Sequence, residues 1–349
     1  MQKKLIALAV AGLASSAAFA QSNVQIFGTL RPSYDFVSMK NAAGTKTNSI
    51  SAMNSNSSTI GFQGSEELGN GLKAIFRLEY NVDFVNDTSG IGGTGTQDMY
   101  VGFANSSWGS IKFGALNNVE KTMFASYDPF AFSIGDYNNI FTQGVDSRNN
   151  QAAYYESPEW NGFKFAASYA LDGVKDSKTT PEKNAAKSSI GANYTWGGLQ
   201  LTAAYSEGNV VNGTDQKSQR YGAAYTFAST KTKLFGVMGV DKAFKNQGSG
   251  TGDWKTYMVG VVQPVTSNID VMADYIKASD NDKADTGAKN YNLGAKYSFS
   301  KRTNVQALYS YMKNDTNAAF NFDSKDAYGG ATFAGGKGSA FSVRMQHNF

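Results

Sequence analysis

Cationic side chains in this chain stand at alternate positions among Ser, Thr, Asn and Gln, while four carboxylates, Glu120, Asp128, Asp136 and Asp146, fall in one aromatic-rich segment, residues 117–149. That distribution suits electrostatic sorting of solutes rather than bond making. The 349 residues include no cysteine and a single histidine, His347. Thiol nucleophiles and thiolate metal sites are excluded, and His-dependent acid–base catalysis is nearly removed. Only an Asp/Glu pair is left to an enzymatic reading, and no metal or cofactor is expected.

The elements that must position these charges are strands. From residue 24 to 36, Val24, Ile26, Gly28, Leu30, Pro32, Tyr34 and Phe36 share one parity, while Gln25, Thr29, Arg31, Ser33 and Asp35 take the other. Residues 72–84 repeat the pattern, with Leu72, Phe76, Leu78, Tyr80 and Phe84 against Lys73, Arg77, Glu79 and Asp83. Period two is the strand signature, and runs this long exceed the usual globular strand of about five to six residues and can cross a membrane tilted. Further copies lie at 163–170, 188–196, 199–206, 219–227, 269–277, 291–299, 304–311 and 341–349. In residues 233–240 and 254–262 both parities carry apolar side chains, so the pattern there is weakest. Pro32 removes one ladder donor, which predicts a bulge or a gap within the first strand.

Connections alternate between tight Gly, Asn and Ser turns, such as 68–71, 197–198 and 266–268, and long stretches such as 39–57, 171–187, 278–289 and 312–338. Short turns at one end and long loops at the other build a transmembrane hairpin array, and pairing the segments yields sixteen strands. Aromatics at strand ends, including Tyr194 with Trp196 and Tyr297 with Phe299, suit girdles where lipid meets water. By parity, Arg31, Lys73, Arg77, Lys112, Lys164, Arg220, Lys296 and Arg344 point into the lumen. The run ending at Phe349 closes the barrel against the first strand.

Residues 1–20 read as a secretory signal, with Lys3 and Lys4 before an apolar run and Ala18-Phe19-Ala20 as the cleavage site. The expected division is a signal peptide, 1–20, and a barrel, 21–349. Two of the 32 Lys+Arg fall in the signal, leaving 30 against 28 Asp+Glu, a balance that carries no nucleic-acid footprint. Mean hydropathy is −0.38 and no apolar run after residue 20 is long enough for a spanning helix. Aromatics make up 13% of the chain, with 37 Gly and only five Pro, a composition for strands and polar turns.

Residues 117–149 break the loop pattern. Phe124, Tyr127, Phe130, Phe132, Ile134, Tyr137, Ile140 and Phe141 are too apolar for a solvated connection of that length. Folding inward would bury them against the wall and leave Glu120, Asp128, Asp136 and Asp146 to line an aperture.

The residues 24–28 (Val-Gln-Ile-Phe-Gly), 60–74 (Ile-Gly-Phe-Gln-Gly-Ser-Glu-Glu-Leu-Gly-Asn-Gly-Leu-Lys-Ala), 127–130 (Tyr-Asp-Pro-Phe) and 155–163 (Tyr-Glu-Ser-Pro-Glu-Trp-Asn-Gly-Phe), with the Phe-ended terminal strand, resemble the betaproteobacterial general diffusion porins of Gram-negative bacteria. The resemblance runs the length of the chain and is weakest in the external loops. It implies an all-β, 16-stranded antiparallel transmembrane barrel assembled as a homotrimer, with the third loop constricting a water-filled pore. It also implies a charged constriction, with loop acids facing wall bases, and a transverse field that favours polar solutes. Such porins often carry wall arginines at slots that align with Thr59, Gln97 and Tyr154 here. The basic cluster is therefore either thinner or relocated, with Arg31, Arg77 and Arg148, and Lys112 beside them, as its expected replacement, and strong anion selectivity is not implied.

The function expected is passive diffusion of ions and small hydrophilic solutes through the bacterial outer membrane, after Sec-type export and cleavage behind Ala20. Expected partners are outer-membrane lipid and lipopolysaccharide, the barrel-assembly machinery that recognises Phe349, and the solutes themselves. The alternatives are a substrate-specific channel, which would need a line of lumen aromatics, and a non-conducting barrel with an adhesin role. The glycines of residues 90–95 lie in a loop and carry no nucleotide-binding context.

Overall fold

Alternating side chains can satisfy every backbone group in lipid only if the sheet closes on itself. In the computed structural model, which describes residues 23–85, 91–141, 148–171, 186–209, 215–246, 250–322 and 334–349, it does. The segments are β1 (Asn23–Leu30), β2 (Ser33–Lys40), β3 (Lys46–Asn54), β4 (Thr59–Gly69), β5 (Leu72–Val82), β6 (Ile91–Asn105), β7 (Gly109–Asn117), β8 (Arg148–Glu156) and β9 (Phe163–Ala170). They continue as β10 (Lys187–Trp196), β11 (Leu199–Asn209), β12 (Asp215–Thr226), β13 (Lys233–Asn246), β14 (Gly250–Pro264), β15 (Ile269–Ala278), β16 (Ala288–Ser298), β17 (Thr303–Asn314) and β18 (Lys337–Asn348). All pairings are antiparallel; β2 pairs with β3 and β1 with β4, the later strands pair with their sequence neighbours, and β18 returns to β1 and β2.

Two staves are interrupted, so eighteen segments make sixteen strands. The first gap is at Arg31-Pro32, where the sequence places a missing donor. Pairing with β18 resumes in register beyond it, from Leu30 opposite His347 to Ser33 opposite Arg344. The facing stave breaks between Asn54 and Thr59, with Asn56 and Ser57 in left-handed conformation. Polar side chains replace the lost ladder: the Arg31 N–H donates to Ser58 Oγ at 2.8 Å and Asn56 Nδ2 to the Arg31 carbonyl at 2.9 Å.

The expected parity is observed. Tyr34, Phe36, Leu293, Phe341 and Val343 are exposed on the outer face, where lipid covers them, while Ser33, Asp35, Asn292, Ser342 and Arg344 are buried inside. One placement changes. Residues 91–95 belong to β6 rather than to a loop, and with no helix following they have no phosphate-binding geometry.

The inner wall of β13–β15 carries large apolar side chains because something covers them. Phe235, Val237, Trp254, Met258, Met272 and Ile276 form one buried cluster with the third loop and with Ala318, Phe320 and Phe322 of the last loop. This explains the mixed parity of residues 233–240 and 254–262. Residues 318–322 of the long stretch 312–338 thus pack inward rather than standing in solvent. Trp254 and Phe320 rings lie 5.4 Å apart, and Asn314 clasps the Phe320 backbone through both its N–H and its carbonyl, each at 2.9 Å.

Candidate functional site

The third loop begins with helix α1 (Val119–Phe124), capped by Asn118, whose side chain accepts from the Lys121 N–H. Short turns follow at Ala125–Tyr127 and Tyr137–Asn139. Phe124, Tyr127, Phe130, Ile134, Tyr137, Ile140 and Phe141 are all buried. Each such side chain contributes about 1.5–3 kcal/mol relative to exposure, enough in sum to hold the loop inside the barrel. Glycines make its seats: a Cβ on Gly222 would lie 2.7 Å from the Tyr127 ring, and one on Gly294 2.8 Å from Phe130.

Polar pins complete the docking. Tyr127 shares a 3.0 Å hydrogen bond with Thr202, Lys233 Nζ donates to the Ser126 carbonyl at 2.8 Å, and Asn292 Nδ2 to the Gly135 carbonyl at 3.1 Å. Arg344 donates through Nη1 to the carbonyls of Ala131 and Phe132, at 2.6 and 2.8 Å. These contacts place the loop against β11–β18, and Val119 clusters with Tyr154 and Ala166 of β8 and β9.

The described loop carboxylates are taken up by the protein's own contacts. Glu120 is fully buried, 2.7 Å from Arg220 and accepting from Ser218 Oγ at 2.7 Å, so it faces protein and not an aperture. Asp128 is buried and accepts the N–H groups of Phe130 (2.8 Å) and Tyr137 (3.1 Å). Burial, with Asp136 and Asp274 nearby, pushes its carboxyl well above the usual carboxylate range against the pull of those two bonds. Asp136, half-buried, caps the N–H groups of Phe132 and Asn138 at 2.8 and 2.9 Å. Asp146 lies outside the described residues.

The bases stand on the opposite wall. Arg31 reaches the Ser57 carbonyl at 2.9 Å, two residues from Thr59. Arg148 bonds to the Gln97 side chain and the Thr96 carbonyl, with Asp98 at 3.8 Å. Lys112 lies 5.4 Å from the centre of the Tyr154 ring and 3.5 Å from Glu156, which also pairs with Lys164. Each of Arg31, Arg148 and Lys112 thus stands close to one of the slots Thr59, Gln97 and Tyr154. Arg77 is fixed by Glu79 at 2.7 Å and Gln63 at 3.0 Å. No group of metal-binding side chains occurs among the described residues.

A closed sixteen-stranded barrel with an apolar outer face and a charged inner one, narrowed by its third loop, corresponds to one family in sequence as well as in shape. The family model of the Gram-negative porins matches residues 7–317. The chain is a Gram-negative porin. The porin is 30% identical over 363 residues to outer membrane porin protein 32 of Delftia acidovorans, with all of both chains covered. It is 27% identical over 368 residues to an outer membrane porin protein of Bordetella pertussis, covering 90% of this chain and 95% of the relative. Among solved structures it resembles the anion-selective porin from Comamonas acidovorans, with a TM-score of 0.79, 26% identity, and 94% of this chain and 100% of that chain covered. Its place is the outer membrane, where a porin of this build passes ions and small hydrophilic solutes by passive diffusion.

Sequence reasoning did not find the second inward segment, around Phe320 and Phe322, or the aromatic partners of the bases. Phe27 and Tyr100 do occupy lumen parity, so the signal was present in β1 and β6.

Proposed function

We propose that this porin is an anion-preferring diffusion channel whose aperture lies between the third-loop tip and the wall bearing Arg31, Arg77, Lys112 and Arg148. The supporting observation is the asymmetry of charge. Five bases, these four and Lys164, share the wall with Glu79, Asp98 and Glu156, while Glu120 is buried against Arg220 of β12 and Asp128 within the loop. A surplus of fixed positive charge in a narrow, low-dielectric passage raises the local anion concentration. Because most bases have a carboxylate beside them, the preference is moderate.

No step in this function breaks a bond, and the reading is of a channel without enzymatic activity. It assembles as a homotrimer, in line with a solved outer membrane protein of Vibrio cholerae, OmpT, described in a trimer form. Residues 1–20 direct export and are removed behind Ala20, and Phe349 addresses the barrel to the assembly machinery. The test is the reversal potential of the purified porin in a planar bilayer under a KCl gradient. A potential favouring chloride supports the proposal, and a cation-favouring one overturns it.

A further inference from the structure

Every aromatic side chain described in the third loop is buried except one. Phe132, at the tip, is 43% exposed, although its backbone is left-handed with φ 58°, a conformation costly for a bulky residue. Three bonds hold it there: its N–H donates to Asp136 at 2.8 Å, and Arg344 takes the carbonyls on either side of that N–H. The ring so displayed lies 4.5 Å from Arg31 Cζ.

Arg31 is only partly used by the protein. Its Nη1 donates to Ser57, while its buried Nε has no hydrogen-bond partner and its Nη2 donates to no protein group among the described residues. The neighbouring base is different in kind. Arg77 spends its guanidinium on Glu79 and Gln63 and stacks at 4.1 Å on Phe27, whose ring lies so close over Gly61 that a Cβ there would be 2.5 Å away. That ring is half-buried between the Arg77 guanidinium and Gly61. Phe132 and Arg31 are the pair with an accessible ring and an available donor.

We propose that Phe132 and Arg31 form a subsite for aromatic carboxylates at the aperture. The carboxylate pairs with Arg31 Nη2, and the face of the planar solute ring meets the exposed edge of Phe132, whose own face the guanidinium covers. A saturated ring of similar size carries the same charge and nearly the same apolar bulk but offers no π face. The subsite therefore separates solutes that size and charge leave together. This rests on the reading of an anion-preferring aperture and names the class of anion it favours.

The experiment is block of chloride conductance through the purified porin at neutral pH, by sodium benzoate and by sodium cyclohexanecarboxylate. Benzoate should half-block at a concentration roughly two- to fivefold lower, the range of a solvent-exposed π contact. Phe132→Leu, which keeps the bulk and removes the aromatic edge, should make the two acids equal, and Phe132→Tyr should restore the difference. Arg31→Gln should weaken block by both. Equal block by the two acids in the wild type, or a difference that survives in Phe132→Leu, overturns the proposal. If the wild type shows no preference for chloride over potassium, the anion reading itself has failed. If it prefers chloride while the acids block alike, only the subsite has.

Discussion

The Arg220 guanidinium lies 2.7 Å from the Glu120 carboxylate with neither side chain exposed, and this pair ties α1 of the third loop to β12 of the wall. Arg220 also donates to the Tyr137 hydroxyl at 3.0 Å and lies against the Phe141 ring, at 5.1 Å. Both ends of the described loop therefore converge on one cation.

Removing one partner of such a pair costs about 3–5 kcal/mol, because it strands a charge out of water, whereas replacing both by apolar groups can be neutral. Glu120→Ala should lower the denaturation temperature and give noisy single-channel currents as the loop loosens. Glu120→Met with Arg220→Met should recover much of the stability. Thermal unfolding in detergent and bilayer recordings check both outcomes, and quiet currents from Glu120→Ala would count against the anchoring role.

Wall charges should act in opposite directions according to which member of a pair is removed. Replacing Arg31, Arg77 and Arg148 together by Ser leaves Glu79 and Asp98 on the wall, so the reversal potential should move toward cations. Glu79→Gln releases Arg77 from its 2.7 Å partner and should move it toward anions. Both shifts should shrink at high salt, as screening over about 10 Å at 0.1 M implies.

The barrel was legible because period two assigns every strand residue a face, and Arg31, Arg77, Lys112, Arg220 and Arg344 all fall where that rule puts them. Loop residues have no such rule. Asp128 and Asp136 each accept an N–H two positions on, from Phe130 and Asn138, a local turn chemistry open to carboxylates and asparagines anywhere in a loop. Read that way, the spacing would have turned both acids inward. Glu120 is different, since nothing local indicates that Arg220 lies beside it. The apolar parity of Trp254 and Met258 was likewise unreadable without its cover, because the covering residues come from separate loops.

The outer half of the lumen should open when that cover is removed. Phe320 is buried beside Trp254, and a Cβ on Gly338 would lie 2.7 Å from the Phe322 ring. Phe320→Ser with Phe322→Ser removes two buried rings at a cost of about 3–5 kcal/mol each by the usual core scale. Single-channel conductance should rise while the reversal potential stays constant, since no wall charge changes. A shifted potential would place this segment in the selectivity filter and not merely in the outer mouth.

Closure depends on Phe349 in two ways. Its backbone exchanges two hydrogen bonds with Gly28, at 3.1 and 3.2 Å, and its ring lies so flat over Gly28 that a Cβ there would be 2.5 Å from the ring and 2.5 Å from the Thr59 carbonyl. Beyond the seam only Thr29 and Leu30 of β1 pair with β18 before the Arg31-Pro32 gap, so the lower seam is short and each bond in it matters. Deleting Phe349 should reduce the yield of heat-modifiable, folded barrel in outer membranes, while barrels that do assemble should keep wild-type conductance, because the ring is outside the lumen. Gly28→Val leaves Phe349 in place but forces its ring away and crowds the Thr59 carbonyl. A yield loss from Gly28→Val in a purified refolding assay, without assembly factors, would locate the effect in the seam itself. If deletion of Phe349 lowers yield only in cells while both variants refold normally in vitro, the residue serves recognition and the seam closes without it.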